Sequence, residues 1–356
     1  MNSTTSKTVP VPRWLIRTLI ALVLIILVFQ LMSLFYRLPD ISGRTQSFAV
    51  VDGTATTLGK AVADDLAAHP GKTGVFLLPH GRDAFAARGL LARKAEKSID
   101  LQYYMYHQDT VGRLLTYEVL RAADRGVRVR MLIDDIYGNQ GEDTWVALDA
   151  HENIEVRLWN PWKRGRNRLI QSVFRAMDIN YRMHSKSFTV DNQATVLGGR
   201  NIGDEYFDAD VDVAFSDIDV LAVGPPVGEV SEEFDEYWNS EFAYPVGILV
   251  RQGTDAELDS LREARTDFYQ SEATSDYVTA LSDSELAHGL AAGNLAFSWA
   301  EARVIHDSSQ KKVLKSKGQD ELLISQLAPY ITSAKKTVDI VSPYFVPGDR
   351  AADKMC

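Results

Sequence analysis

Arg182-Met183-His184-Ser185-Lys186-Ser187-Phe188-Thr189-Val190-Asp191, followed closely by Gly198-Gly199-Arg200-Asn201, is the stretch on which the reading of this chain turns. As a pattern it is H-x-K-x4-D, six residues, then G-G-x-N. A strand from Arg182 to Val190 would put His184 and Lys186 on one face, because strand side chains alternate with a period of two. Asp191-Asn192 suits a tight turn, and Ala194 to Leu197 reads as the returning strand. The hairpin brings Gly198-Gly199 back toward the His-Lys face, where two glycines let backbone approach a ligand closely. Asn201 adds an amide donor at the start of the next element, expected to be a helix. A nucleophile, a cationic clamp and neutral donors on one point suit a phosphoryl group.

The motif resembles the HKD signature of the phospholipase D superfamily. The text after it, Gly198-Gly199-Arg200-Asn201-Ile202-Gly203-Asp204-Glu205-Tyr206-Phe207, is most similar to the bacterial cardiolipin synthase branch. The resemblance runs from about Leu77 to the end of the chain. It implies an α/β fold, a phospholipase D-like sandwich with a mixed sheet flanked by helices.

Composition agrees with a globular chain. Of 356 residues, 46% are hydrophobic and 24% charged, and 48 acids against 38 bases give a net charge of −10. A net acidic chain argues against nucleic acid as the main partner, since phosphate backbones favour basic surfaces. The single cysteine, Cys356, permits no internal disulfide and says nothing about compartment. Thr18 to Tyr36 has no charge and one amide, Gln30, and as a helix would extend roughly 28 Å, close to a bilayer core. Lys7, Arg13 and Arg17 precede it, with Trp14 and Tyr36 at interfacial positions. Leu38-Pro39-Asp40 lacks a small-x-small cleavage pattern, so an uncleaved anchor is favoured over a signal peptide. The expectation is a basic, disordered N-terminus over 1–17 and a single-pass anchor over 18–36, in a bacterial inner membrane.

Beyond the anchor, helical and strand-like segments alternate: Thr57–Ala68, Gly74–Leu78, Asp83–Lys97, Ser98–Tyr106, Val111–Arg125, Val127–Ile133, Trp145–Ala150 and Ile154–Leu158. A first phospholipase D-like domain is expected over 45–248. Before the hairpin, Lys163, Arg164, Arg166 and Arg168 are interleaved with Trp162, Leu169, Ile170 and Val173, which reads either as a solvated loop or as a contact for anionic lipid headgroups. Asp208, Asp210, Asp212, Asp217 and Asp219 lack the spacing of a calcium loop, so strand ends and turns are expected, with no metal. Thr254-x-x-Glu257 is a capping box within a helical connector over 249–296. Ala95-Glu96-Lys97-Ser98-Ile99-Asp100-Leu101 and Ala334-Lys335-Lys336-Thr337-Val338-Asp339-Ile340 look like a repeat displaced by 239 residues (334 less 95). On that reading 297–356 opens a second similar domain, cut off before its own motif.

The resemblance implies a mechanism. His184 attacks phosphorus to form a phosphohistidine, while Lys186 and Asn201, with Gly198 and Gly199, hold the phosphate oxygens. Asp191 belongs to the family motif and is assigned an orienting role. The leaving alcohol needs a proton from a second histidine, which in the family comes from a second HKD motif. The other six histidines, His69, His80, His107, His151, His288 and His306, carry no such context. No cofactor is required. The expected reaction is phosphatidyl transfer to phosphatidylglycerol, with membrane phospholipids (phosphatidylglycerol, and phosphatidylethanolamine as a further candidate) as partners. A homodimer or a missing C-terminal half would complete the site. The competing readings are a single-motif homodimeric phosphodiesterase or nuclease, and an inactive lipid-binding fragment.

Overall fold

The computed structural model describes residues 12–137, 140–175, 181–209, 217–292, 295–310 and 323–341. They fall into two compact units, Met1–Pro39 with Trp162–Asn180, and Asp40–Pro161 with Tyr181–Cys356. The first contains helix α1 (Arg13–Phe35) and the short helix α6 (Arg168–Phe174). Within α1, Arg13–Met32 is long and apolar enough to cross a membrane, and none of it is buried by protein. The helix starts a few residues before the expected Thr18, because Arg13 and Arg17 continue the helical turn into the polar flank.

The second unit is built on one nine-stranded sheet, ordered β8-β4-β3-β2-β5-β6-β7-β1-β9. The strands are β1 (Thr73–Leu78), β2 (Ser98–Tyr103), β3 (Arg128–Asp134), β4 (Ile154–Trp159), β5 (Ser187–Val190), β6 (Ala194–Gly198), β7 (Asp219–Val223), β8 (Ala243–Pro245) and β9 (Ser298–Ala300). β2, β3 and β4 are parallel, and every other pairing is antiparallel. The parallel strands are joined by crossover helices, as parallel neighbours require. These are α4 (Thr110–Asp124), capped by Asp109 on Gly112 N, and α5 (Glu142–Asp149). β2 is buried along its whole length because both faces of the sheet are covered. On one side lie α3 (Gly81–Lys94), α4 and the later helices α9 (Asp255–Tyr269), α10 (Ser275–Asp283) and α11 (Glu285–Ala292). On the other lies α7 (Pro225–Asn239), with Phe234, Tyr237 and Trp238 buried against Trp159 and Leu132. The mixed sheet flanked by helices is the expected fold class.

α2 (Thr57–Ala68) forms at its expected bounds, with Thr56 as N-cap, and the Thr254–Glu257 capping box opens α9 as read from the sequence. Past the helical connector, Ser298–Ala300 forms an edge strand on β1 of the same sheet. The reason is local. β1 presents an open backbone edge, and Trp299 stacks on His69 with ring centres 4.3 Å apart. Residues beyond it continue onto α7, where Val304 N donates to Glu229 and Ser309 N to Glu236. The helix expected after Asn201 is only a single 3-10 turn, Asp204–Tyr206.

Candidate active site

β5 is shorter than the sequence suggested. It begins at Ser187, where β2 and β6 both run out of partners: Ser187 faces Gln102 on one side and Leu197 on the other. His184 to Lys186 therefore lie outside the strand ladder, and the segment from Arg182 is held by side chains of other elements. Asp134, the last residue of β3, accepts from Met183 N at 2.9 Å and from the Arg182 guanidinium at 3.0 Å. Arg182 also reaches the carbonyl of Asn160 at 3.2 Å, beyond β4. Ser185 Oγ donates to Glu233 Oε1 of α7 at 2.7 Å, and Gln102 Nε2 donates to the other oxygen of the same carboxylate. Ser185 is thereby drawn to the α7 face, and its neighbours His184 and Lys186 both line a cavity. The period of two survives without strand pairing, because the Ser185–Glu233 hydrogen bond sets it.

The cavity has a volume of about 790 Å³. His184, Lys186, Gly198, Gly199 and Asn201 line it together with Tyr104, Tyr206 and Asp217. The Tyr104 ring stacks on the His184 imidazole with centres 4.3 Å apart and planes 24° from parallel. Lys186 Nζ donates to the carbonyl of His184 at 2.7 Å and lies 5.7 Å from the centre of the Tyr104 ring. Asn201 is buried and fixed at both ends of its amide: Oδ1 accepts from Met105 N at 3.2 Å and Nδ2 donates to Tyr206 Oη at 3.0 Å. One amide hydrogen remains beyond the Tyr206 bond. Arg200 ties this corner together, with its buried guanidinium on the carbonyls of Leu78, Pro79, Tyr206 and Asp217.

The two glycines line the cavity and are closely approached by two aspartates. A Cβ on Gly198 would sit 2.1 Å from Asp219 Oδ1 and 2.7 Å from Asp219 Cα, and one on Gly199 would sit 1.9 Å from Asp217 Oδ2. They are small because two aspartates occupy the space beside them. Asp219 is fully buried and paired with Arg88 at 2.8 Å. Asp217 lines the cavity, and burial pushes its carboxyl up. Burial also lowers Lys186 to about 8, against the opposing pull of Asp217, Asp219 and Asp134. Asp134 is raised to about 7 by burial, in spite of Arg182.

Asp191 is not brought to the cavity. It lies at the far end of β5, in a hairpin turn where Asp191 and Asn192 both have positive φ, 54° and 53°. Its buried carboxylate accepts from the backbone N–H groups of Glu96, Lys97 and Ser98, the last two at 2.8 and 2.9 Å. It ties the hairpin to the start of β2. Lys163, Arg164, Arg166 and Arg168 belong to the other unit, with α1. In the acidic run, Asp208 accepts from Gly81 N at 2.9 Å, while Asp210 and Asp212 lie outside the described residues. Among the described residues, His107, Asp109 and Glu205 bring potential ligand atoms within 4.8 Å of one another. Asp109 is already engaged there, accepting from Gly112 N and Asp204 N, and the grouping reads as the cap of α4.

Tyr104, Asp134 and Glu233 carry no site signal in the sequence, and Asp217 reads there only as a strand end or turn. Asp134-Asp135 at a strand end and the Tyr103-Tyr104 pair were visible there, but only the sheet order brings them to His184.

Residues 91–238 match the family model described as cardiolipin synthase, PLD-like domain. Cardiolipin synthase C of Escherichia coli (strain K12) is 46% identical over 189 residues, which are 53% of this chain and 40% of that protein. Cardiolipin synthase A of Pseudomonas syringae pv. syringae (strain B728a) is 30% identical over 165 residues, 46% of this chain and 33% of that one. Among solved structures, phosphatidylserine synthase of Haemophilus influenzae Rd KW20 superposes with a TM-score of 0.39 at 15% identity, over 60% of this chain and 48% of that one. The chain thus spans about 40% of the length of the first of these curated relatives.

Proposed function

We propose that this chain, whose residues 91–238 match the cardiolipin synthase, PLD-like domain, acts as a phospholipase D-superfamily member of that branch and takes part in phosphatidyl transfer through a covalent phosphohistidine on His184. The observation that carries this reading is the convergence of His184, Lys186 and Asn201 on one cavity large enough for a phosphodiester headgroup. In the first step an imidazole nitrogen of His184 attacks phosphorus, a P–N bond forms, and the P–O bond to the leaving alcohol breaks. In the second, an acceptor hydroxyl attacks phosphorus, its proton passing to the general base that protonated the leaving alcohol, and the P–N bond breaks, returning free His184. Splitting one displacement into two lowers each barrier. Tyr104 stacked on the ring restricts the imidazole to the cavity side. The Lys186 ammonium and the remaining Asn201 N–H would hold the non-bridging oxygens, whose charge grows in the transition state.

The leaving alcohol departs as a neutral molecule only if it is given a proton. His184 cannot give it while attacking. A second imidazole, from a further H-x-K segment or a second copy of the chain, supplies it. The acceptor we favour is the hydroxyl of phosphatidylglycerol, which yields cardiolipin. The reading is tested with membranes carrying wild-type or His184→Asn protein and labelled phosphatidylglycerol. Label should enter cardiolipin only with the wild type. Equal incorporation by a folded His184→Asn protein would end the proposal, and release of free phosphatidic acid in place of cardiolipin would replace the lipid acceptor by water.

A further inference from the structure

The segment Trp162 to Arg175 carries five basic residues and no acidic one, in a chain of net charge −10. α6 within it has two unlike faces. Gln171 is fully buried and stitches the preceding loop to the helix, with Nε2 on the carbonyls of Lys163 and Arg166 and Oε1 accepting from Lys163 N. On the opposite side Leu169, Ile170 and Val173 are 79%, 40% and 66% exposed. Positions i, i+1 and i+4 share one helical face, so three aliphatic side chains form an apolar strip that the described residues leave exposed.

The loop before α6 is fastened to the last residue of α1. Lys163 Nζ donates to the carbonyl of Phe35 at 2.9 Å, and the Arg166 guanidinium lies 3.8 Å from the centre of the Phe35 ring. Terminal carbonyls of a helix lack intrahelical donors and carry the negative end of its dipole, so a cation is well placed there. If α1 spans a bilayer, Phe35 marks the level where hydrocarbon gives way to headgroups, and these two cations sit at that level.

We propose that α6 is an in-plane interfacial helix, seated in the leaflet where the C-terminal end of α1 emerges. Its Leu169, Ile170 and Val173 lie among the acyl chains, and Lys163, Arg164, Arg166 and Arg168 lie on the phosphates of anionic phospholipids. This rests on reading α1 as membrane-spanning. The occupant is the bilayer because the strip is tied to the membrane end of α1 and its flank is uniformly positive. A short amphipathic helix of this kind settles about 5–10 Å into the headgroup and acyl boundary.

The test uses the full chain with Cys356→Ser and one new cysteine, Leu169→Cys or Val173→Cys, each carrying an environment-sensitive fluorophore. A third variant, Asp259→Cys on α9, reports bulk water. The proteins are placed in vesicles of phosphatidylglycerol and phosphatidylcholine and washed with high salt. Emission from positions 169 and 173 should be blue-shifted relative to 259. It should be quenched more by nitroxides near the top of the acyl chain than by those at its middle. Loss of the protein in the salt wash would overturn the anchor and this inference together. Retention with water-like emission at both positions would overturn the placement of α6 alone. An equal blue shift in purely phosphatidylcholine vesicles would overturn the role of the basic residues.

Discussion

At the scale of single residues, Lys186 makes the sharpest prediction. In the proposed mechanism its ammonium holds phosphate oxygens, and burial lowers its pKa from 10.5 to about 8. The charged form is therefore lost as pH rises through about 8, earlier than for an exposed lysine. kcat/KM should fall above that pH, and Lys186→Arg, at whatever reduced rate, should move the fall to higher pH because guanidinium stays charged. A pH profile with the same basic limb in both proteins would show that another group titrates there. The residues proposed to carry this chemistry are readable because they are close in sequence: H-x-K and G-G-x-N each need only a few consecutive positions. Tyr104, Asp134, Asp217 and Glu233 were not readable as site residues. Each stands at the end of a different strand or on α7, and nothing local announces that Tyr104 and Asp217 line the cavity or that Asp134 and Glu233 hold the segment carrying His184.

At the scale of elements, the site depends on two anchors at opposite ends of β5. Asp191 holds the turn end through three backbone N–H groups of the segment entering β2. Asp191→Ala strands those donors in a buried place, at a cost of about 3 kcal/mol. The urea midpoint should drop accordingly, while kcat per folded molecule stays within about two-fold because the cavity is untouched. A large loss of kcat at full stability would instead give Asp191 a catalytic part. Ser185 and Glu233 hold the other end. Ser185→Ala removes the donor to one oxygen of a buried carboxylate, a loss of about 1–3 kcal/mol. It should also lower kcat with little change in KM, since His184 and Lys186 lose the hydrogen bond that fixes their common face. A stability loss with unchanged kcat would show that Asp134 and Arg182 position the segment alone. The strands themselves were legible from alternation, and β5 was overextended only because extended backbone continues past its last ladder partner. The glycines were legible as close approaches, but what approaches them, Asp217 and Asp219, is decided by the β6–β7 register.

At the scale of the molecule, the sheet order places the ends of β2, β3, β5, β6 and β7 around one opening, and the chemistry follows from that arrangement. The alternating helix and strand pattern made the α/β class legible. The edge position of β9 was not, because a three-residue strand on β1 is fixed by Trp299 stacking on His69 rather than by its own sequence. The central claim is that His184 becomes covalently phosphorylated, and it is tested best apart from proton supply. A phosphodiester with a nitrophenolate leaving group needs no general acid, so the first step can proceed on this chain with the groups described. The measurement is mass spectrometry, at neutral to mildly basic pH, of the tryptic peptide Met183-His184-Ser185-Lys186 after rapid quenching. The account predicts an acid-labile phosphoryl adduct on His184 that forms with the nitrophenolate burst and is missing in His184→Asn. A nitrophenolate burst with no adduct on that peptide, or with the adduct on another residue, would contradict it.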